Sequence, residues 1–267
     1  MTAPLAAIAK RIDTLAARLA PPVAVPRRLA LAERLGITLD PWQRSALASD
    51  ARQVAFNVTR QGGKSTIAAL IGLDEALSRP GALVLVLSPG ERQSKLLFKK
   101  VLGYYRAVRG LVPAVAENKL SLELSNGSEV HALPGDGDTV RGFSAVTLLL
   151  IDEASRVSDD MLGAVRPMLA VSGGRLVTMS TPWGKRGWWW EAWSGGGPSW
   201  ERYEVPATEC PRIAPAFLEE ERRNLPPLVF DSEYLCRFVE PLDAFFRYDD
   251  IAAAASSEVR PLFQEVA

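Results

Sequence analysis

The chain has little cysteine, one histidine and no excess charge of either sign. Cys210 and Cys236 are its only cysteines, and without a partner cluster they form neither a disulfide framework nor a zinc site, so a reducing cytoplasm is expected. His131 stands alone, which argues against an imidazole-bound metal. Lysine plus arginine and aspartate plus glutamate number 31 each. A protein that holds nucleic acid continuously needs a basic excess to neutralise phosphates, so any DNA contact here is local, transient or shared between subunits. Long apolar runs are also missing. Lys10, Arg11, Asp13 and Arg18 interrupt the alanine- and leucine-rich start, which excludes a signal-peptide core. No stretch approaches the roughly 18 residues a membrane helix needs, so no membrane partner is expected. There are no internal repeats.

What is present is an ordinary globular composition, 48% apolar and 23% charged over 267 residues, enough for one large domain with a small appendage. Leu5, Ile8, Ile12, Leu15 and Leu19 recur at helical spacing up to Pro21-Pro22, a stripe that reads first as local packing and second as a docking face. A short helix is predicted over 27–35. Val54–Val58 reads as a buried strand, followed by a glycine-bearing segment and a helix from Thr66 to Leu77. Ala82–Leu87 is the next strand and 91–107 the next helix. Leu120–Leu124 and Glu129–Leu133 flank Asn126-Gly127, a hairpin signal. Val146–Ile151 and Arg175–Ser180 are further strands, and beyond about 200 the chain turns irregular, with helices near 215–224 and 228–236. Apolar strands alternating with helices predict an α/β fold with a mainly parallel sheet covered on both faces. The hairpin would add antiparallel strands near an edge. The expected division is an N-terminal helical segment 1–36, a core 37–204, a lid 205–247 and a tail 248–267.

Three places carry chemistry. Gly63-Lys64-Ser65 lies between a strand and a helix, where turn amides and the helix N-terminus attract phosphate. Lys64 would reach the β- and γ-phosphates and the Ser65 hydroxyl would bind magnesium. The usual phosphate loop also has a glycine five positions before Gly63, where this chain has Val58. Leu148–Ile151 ends in Asp152-Glu153, placing two carboxylates at the sheet edge where doubly wound folds bind ligands. Asp152 would hold the metal and Glu153 would polarise the attacking water. An acidic strand end alone reads as a helix cap, but about 90 residues after Gly-Lys-Ser the two motifs support each other. Ser180-Thr181-Pro182 ends a strand and, on spacing alone, reads as a proline turn. A weaker signal is Pro41-Trp42-Gln43: an amide can pair with both edge groups of adenine and an aromatic can pack on the base, although a tryptophan there is usually core. The Trp188–Trp190 run, with Trp183 and Trp193, reads as aromatic packing ahead of a contact surface.

In this order the motifs resemble the ATPase domain of phage large terminase subunits, over roughly residues 38–240. Thr59 to Ser65 is similar to that family's arginine-containing phosphate loop, which often lacks the first glycine. Leu87-Ser88-Pro89 with Gln93, Leu148 to Ala154, Ser180-Thr181-Pro182 and Pro41-Trp42-Gln43 match its further motifs. The resemblance implies a RecA-like, additional-strand (ASCE) P-loop ATPase core and an ATP site of Gln43, Arg60, Gln61, Gly62, Gly63, Lys64, Ser65 and Thr66. It implies magnesium at Ser65 and Asp152, catalysis by Glu153 and Lys64, and coupling through Ser180 and Thr181. Arg141 matches an arginine that reaches a neighbouring subunit's ATP; the alternatives are a surface arginine, with Arg60 acting within its own subunit. Implied partners are double-stranded DNA, a portal and a small terminase subunit. The active form would be a homo-oligomeric ring and the isolated chain a monomer, in the host bacterium's cytoplasm. The family's nuclease domain is expected to be absent, the sequence stopping just past Phe246-Arg247-Tyr248, and Asp249 and Asp250, in an alanine-rich context, are not read as a metal site. The rivals are a helicase-like remodelling ATPase and a non-catalytic assembly module.

Overall fold

This computed structural model describes residues 27–134 and 142–240, with Ala254. The stripe from Leu5 to Leu19, Arg141 and the stretch 246–250 lie outside them. The described residues open with α1 (Arg27–Arg34) and α2 (Pro41–Ala48), then β1 (Gln53–Val58), α3 (Lys64–Ser78), β2 (Leu83–Ser88) and α4 (Glu91–Val108). Next come β3 (Ala114–Glu117), β4 (Ser121–Leu124), β5 (Glu129–Pro134), β6 (Leu148–Asp152), α5 (Asp159–Val165) and β7 (Arg175–Ser180). The last elements are α6 (Gly187–Ser194), β8 (Trp200–Val205), α7 (Pro215–Asn224) and α8 (Pro227–Glu233).

The eight strands form one sheet in the order β3-β4-β5-β2-β6-β7-β1-β8. From β5 to β8 every pairing is parallel, while β4 runs antiparallel to both neighbours. This is the expected RecA-like α/β core, with the Asn-Gly hairpin at one edge. β7 lies between β1 and β6, so the strand before the Gly62-Gly63 loop and the strand carrying the acids are second neighbours. Their continuous apolar runs follow from burial on two faces: β1, β2 and β7 are buried at every position after the first. One core packs Ile67, Leu70 and Leu73 of α3 against Val84, Val86 and Leu150. The other packs Met161, Val165, Trp188 and Trp189 against Leu85, Leu149 and Ile151, so those tryptophans are core. Trp183 is not: it is 43% exposed, with the Arg156 guanidinium 3.3 Å above its ring. Among the described residues no helix is long and apolar enough to cross a membrane.

Two strands were not expected. β8 occupies a stretch read as irregular, yet it pairs with β1 along its whole length, from Gln53 opposite Trp200 to Val58 opposite Val205. Glu201, Arg202 and Glu204 break its apolar run, which an edge strand tolerates. β3, at the opposite edge, alternates half-buried and exposed residues.

Helix α1 is tied to α3 by charge. Asp74, 3% exposed, accepts Arg27 Nε and Nη2 at 3.0 and 3.1 Å and lies 3.4 Å from Arg28 Nε. Arg28 is itself buried and also donates to the Leu47 and Ser49 carbonyls. Removing one partner from a buried pair leaves the other charge uncompensated. Asp74→Ala is therefore expected to lower stability by about 3 kcal/mol, read as a lower urea midpoint at unchanged slope.

Candidate active site

The carboxyl ends of β1, β2 and β6 open on a cleft of about 850 Å³. Its lining includes Gln43, Arg60, Gln61, Gly62, Gly63, Lys64, Ser65, Thr66, Asp152 and Glu153. Residues from three separate motifs, spread over about 110 positions of the chain, thus share one cleft.

The loop after β1 is shaped by two glycines. A Cβ on Gly62 would lie 2.5 Å from Val58 Cγ1 and 3.0 Å from the Thr59 carbonyl oxygen, so no side chain fits. Gly63 has φ of 95° and faces Gln43 Nε2, which an added Cβ would meet at 2.4 Å. Gln61 also takes the left-handed region, at φ 61°. The turn delivers the chain into α3, whose first N–H groups have no intrahelical acceptor and carry the positive end of the helix dipole. Lys64 begins that helix. Its buried ammonium donates to the carbonyls of Val58 at 2.5 Å and Thr59 at 3.1 Å. Burial pulls its pKa down, against the charges of Glu153 and Asp152.

Across the cleft, burial pushes the Asp152 carboxyl up to about 6, with further upward pressure from Glu153 and relief from Lys64. Asp152 Oδ1 accepts the Glu153 N–H at 3.0 Å. Glu153 turns the chain in the left-handed conformation, φ 51° and ψ 44°. Such a conformation costs a residue with a Cβ about 1 kcal/mol, and it brings this carboxylate to the cleft beside Asp152 rather than to the opposite face, as strand alternation would.

Ser180 and Thr181 do not line the cleft, but they stand behind it. Ser180 Oγ accepts Ser155 N–H at 3.2 Å and lies 2.7 Å from Ser155 Oγ, two residues past Glu153. Thr181 is buried, and the Pro182 carbonyl accepts Ser232 Oγ at 2.8 Å. From the same helix end, Glu233 accepts Arg60 Nε and Nη2 at 2.6 and 3.1 Å, and its carbonyl accepts Thr59 Oγ1 at 3.0 Å. Asn57 Nδ2 donates to the Cys236 carbonyl at 2.8 Å. Residues 232–236 therefore bond both to the loop after β1 and to the turn after β7.

The segment Pro41-Trp42-Gln43 divides between core and cleft. Trp42 packs edge-on against Phe56, centroids 6.0 Å apart, in the core and not in the cleft. Gln43 Oε1 accepts Asp40 N–H at 3.0 Å, closing the helix N-terminus, so Nε2 is the amide group turned to Gly63. Sequence reasoning missed Lys100, Tyr104, Arg156 and Arg212, which also line the cleft. Arg212 Nη1 pairs with Asp40 at 2.9 Å while Nη2 donates to the Gly62 carbonyl at 3.0 Å; nothing in its local sequence signals this. Lys100 and Tyr104 had a signal, since Gln93, Lys100 and Tyr104 recur on one face of α4. Lys100 Nζ donates to Thr66 Oγ1 at 3.2 Å. His131 pairs with Glu129 at 2.6 Å on β5, away from the cleft.

The comparisons bear out the resemblance read from the motifs. The chain is 23% identical over 251 aligned positions, covering 80% of it, to the large terminase subunit of Thermus virus P23-45. It spans about half the length of the curated relatives it matches. In structure it is similar to the large terminase ATPase domain of Thermus phage P74-26, with TM-score 0.71 and 24% identity over 78% of this chain and 97% of that one. The ADP complex of the large terminase from another thermophilic bacteriophage gives TM-score 0.62 and 11% identity, over 80% of this chain and 53% of that one. No family model matches.

Proposed function

We propose that this chain is the ATP-hydrolysing motor domain of a phage DNA-packaging terminase. The observation that carries the reading is the single cleft in which Lys64, at the start of α3, faces the Asp152–Glu153 carboxylates at the end of β6. The relatives' names supply the biological setting. On this reading Lys64 exchanges its loop carbonyls for β- and γ-phosphate oxygens. Glu153 takes the proton of the water that attacks the γ-phosphate, and ADP leaves in line. Gln43 and Arg212 would border the base.

The donor set fits magnesium. Ser65 and Asp152 offer a hydroxyl and a carboxylate in one cleft, hard oxygen ligands of the kind that ion takes. Among the described residues no group of three histidine, cysteine or acidic ligands could hold a metal by itself, which suits an ion completed by water and phosphate. Bound there, magnesium would supply charge neutralisation at the phosphate oxygens.

Coupling would run from Glu153 through Ser155 and Ser180, and from Arg60 through Glu233, to the helices of the proposed lid, residues 205–247. Hydrolysis would then move that lid and translocate double-stranded DNA into a procapsid. A portal, a small terminase subunit and a homo-oligomeric ring complete the proposal, with Arg141 supplied to a neighbour's site, all within the host cytoplasm.

Phosphate release from the whole chain, alone and with double-stranded DNA, tests the reading against Glu153→Ala and Lys64→Ala. Equal rates at background for all three, across a range of protein concentrations, would remove its support. Asp152 adds a pH test: as pH falls through about 6 its carboxylate is protonated and magnesium loses a ligand. The magnesium concentration for half-maximal rate is expected to rise about tenfold per pH unit below that point.

A further inference from the structure

Helix α4 presents Gln93, Lys100 and Tyr104 to the cleft, from the wall facing the phosphate loop. Of these only Lys100 is charged, and its environment is unusual for a lysine. The side chain is partly buried, and its ammonium donates to one neutral oxygen, Thr66 Oγ1, at 3.2 Å. Two other cations of the same helix are paired with carboxylates, Lys95 with Glu91 and Arg106 with Glu117. Among the described residues no carboxylate pairs with Lys100 Nζ within 4 Å; the charge of Asp152 acts on it from further away. A cation partly withdrawn from water with no carboxylate in contact costs free energy, and the folded chain keeps this one in place beside the first turn of α3. Thr66 follows Lys64 and Ser65 in that turn, where backbone N–H groups and the helix dipole also favour an anion. An ammonium carries three donors, and the hydroxyl uses one.

We propose that Lys100 is a second cation for the phosphate chain of the nucleotide held by the Lys64 loop. The inference rests on the nucleotide-site reading above and extends it to a residue from a different helix. Lys64 reaches the phosphates from below, out of the loop itself; Lys100 reaches them from the side, across Thr66. Both α3 and α4 would then grip one anion, so that nucleotide binding ties the first turn of α3 to the middle of α4.

The test is the Kd of ADP and of ATPγS for the whole chain, by calorimetry, in wild type, Lys100→Met, Lys100→Arg and Lys99→Met. Lys99, the exposed neighbour on the same helix, controls for net charge. One charge-assisted hydrogen bond corresponds to about a tenfold change in affinity. Lys100→Met is expected to weaken ADP, ATPγS or both by at least that factor. Lys100→Arg should stay within about threefold of wild type, Lys99→Met should be unchanged, and thermal midpoints should match. Unchanged binding of both nucleotides by Lys100→Met overturns the proposal. So does an equal loss in Lys99→Met, or a loss accompanied by a lowered midpoint that arginine does not restore. If wild type binds neither nucleotide, the site reading itself fails; if Lys64→Ala loses binding and Lys100→Met keeps it, the Lys100 assignment falls alone.

Discussion

Glu153→Gln is expected to reduce phosphate release by a factor of about 10²–10⁴ while leaving ADP affinity near that of wild type. The amide has the shape of the carboxylate and tolerates the same backbone, so the left-handed turn at φ 51° and its bond to Asp152 Oδ1 survive. What is lost is the capacity to take a proton from the attacking water. The substitution has a second consequence that a merely structural residue would not produce. Glu153 is one of the charges holding the Asp152 carboxyl up at about 6, so its neutralisation lets that carboxyl ionise at lower pH. Magnesium affinity, measured with nucleotide in excess, should then hold to more acid pH in the variant than in wild type. A rate within threefold of wild type, or an acid limb that does not move, would mean that Glu153 stands elsewhere than beside the reacting phosphate and Asp152.

The centre of this fold was legible in the sequence because its strands are buried on both faces. A run such as Leu148-Leu149-Leu150-Ile151 has few alternatives to an interior parallel strand, and Asn126-Gly127 has few alternatives to a hairpin turn, which Gly127 makes at φ 80°. The edges were not legible. β8 carries Glu201, Arg202 and Glu204 at positions where one face meets solvent, so neither alternation nor an apolar run marked it. The same division holds for the candidate site. Gly63-Lys64-Ser65 and Asp152-Glu153 are local motifs whose spacing pointed to one cleft, and one cleft holds them. Arg212 and Glu233 reach that region only through the path of the last 60 described residues, with Arg212 bonding to Asp40 and Glu233 to Arg60. Contacts of that kind depend on tertiary placement, and no local spacing encodes them. Trp42 follows the commoner of its two readings: the ring lies on Phe56, packed against the core.

Lys64→Met is expected to abolish detectable turnover and weaken nucleotide binding about a hundredfold without lowering the thermal midpoint of the protein measured alone. The two halves of that expectation come from the same fact. Burial pulls the Lys64 pKa below the ordinary lysine value of 10.5, so the charged side chain costs stability at neutral pH, a cost that shrinks as pH rises through the folded pKa. Methionine fills the space of the stem without carrying the charge. Two terms oppose the gain. The Val58 and Thr59 carbonyls lose a donor, and the Asp152 carboxyl, which Lys64 holds down, rises further above 6. Together they offset the relief, so the midpoint stays near that of the wild type. Nucleotide separates the variants more sharply. At one hundred times its Kd a ligand adds about 2.7 kcal/mol to folded stability, and at the same concentration a hundredfold weaker binder adds only about 0.4 kcal/mol. ATPγS should therefore raise the midpoint of wild type clearly and that of Lys64→Met barely. A variant that melts early by itself, yet still gains as much from ATPγS as wild type does, would identify Lys64 as a structural cation of the loop and leave the phosphates to other groups.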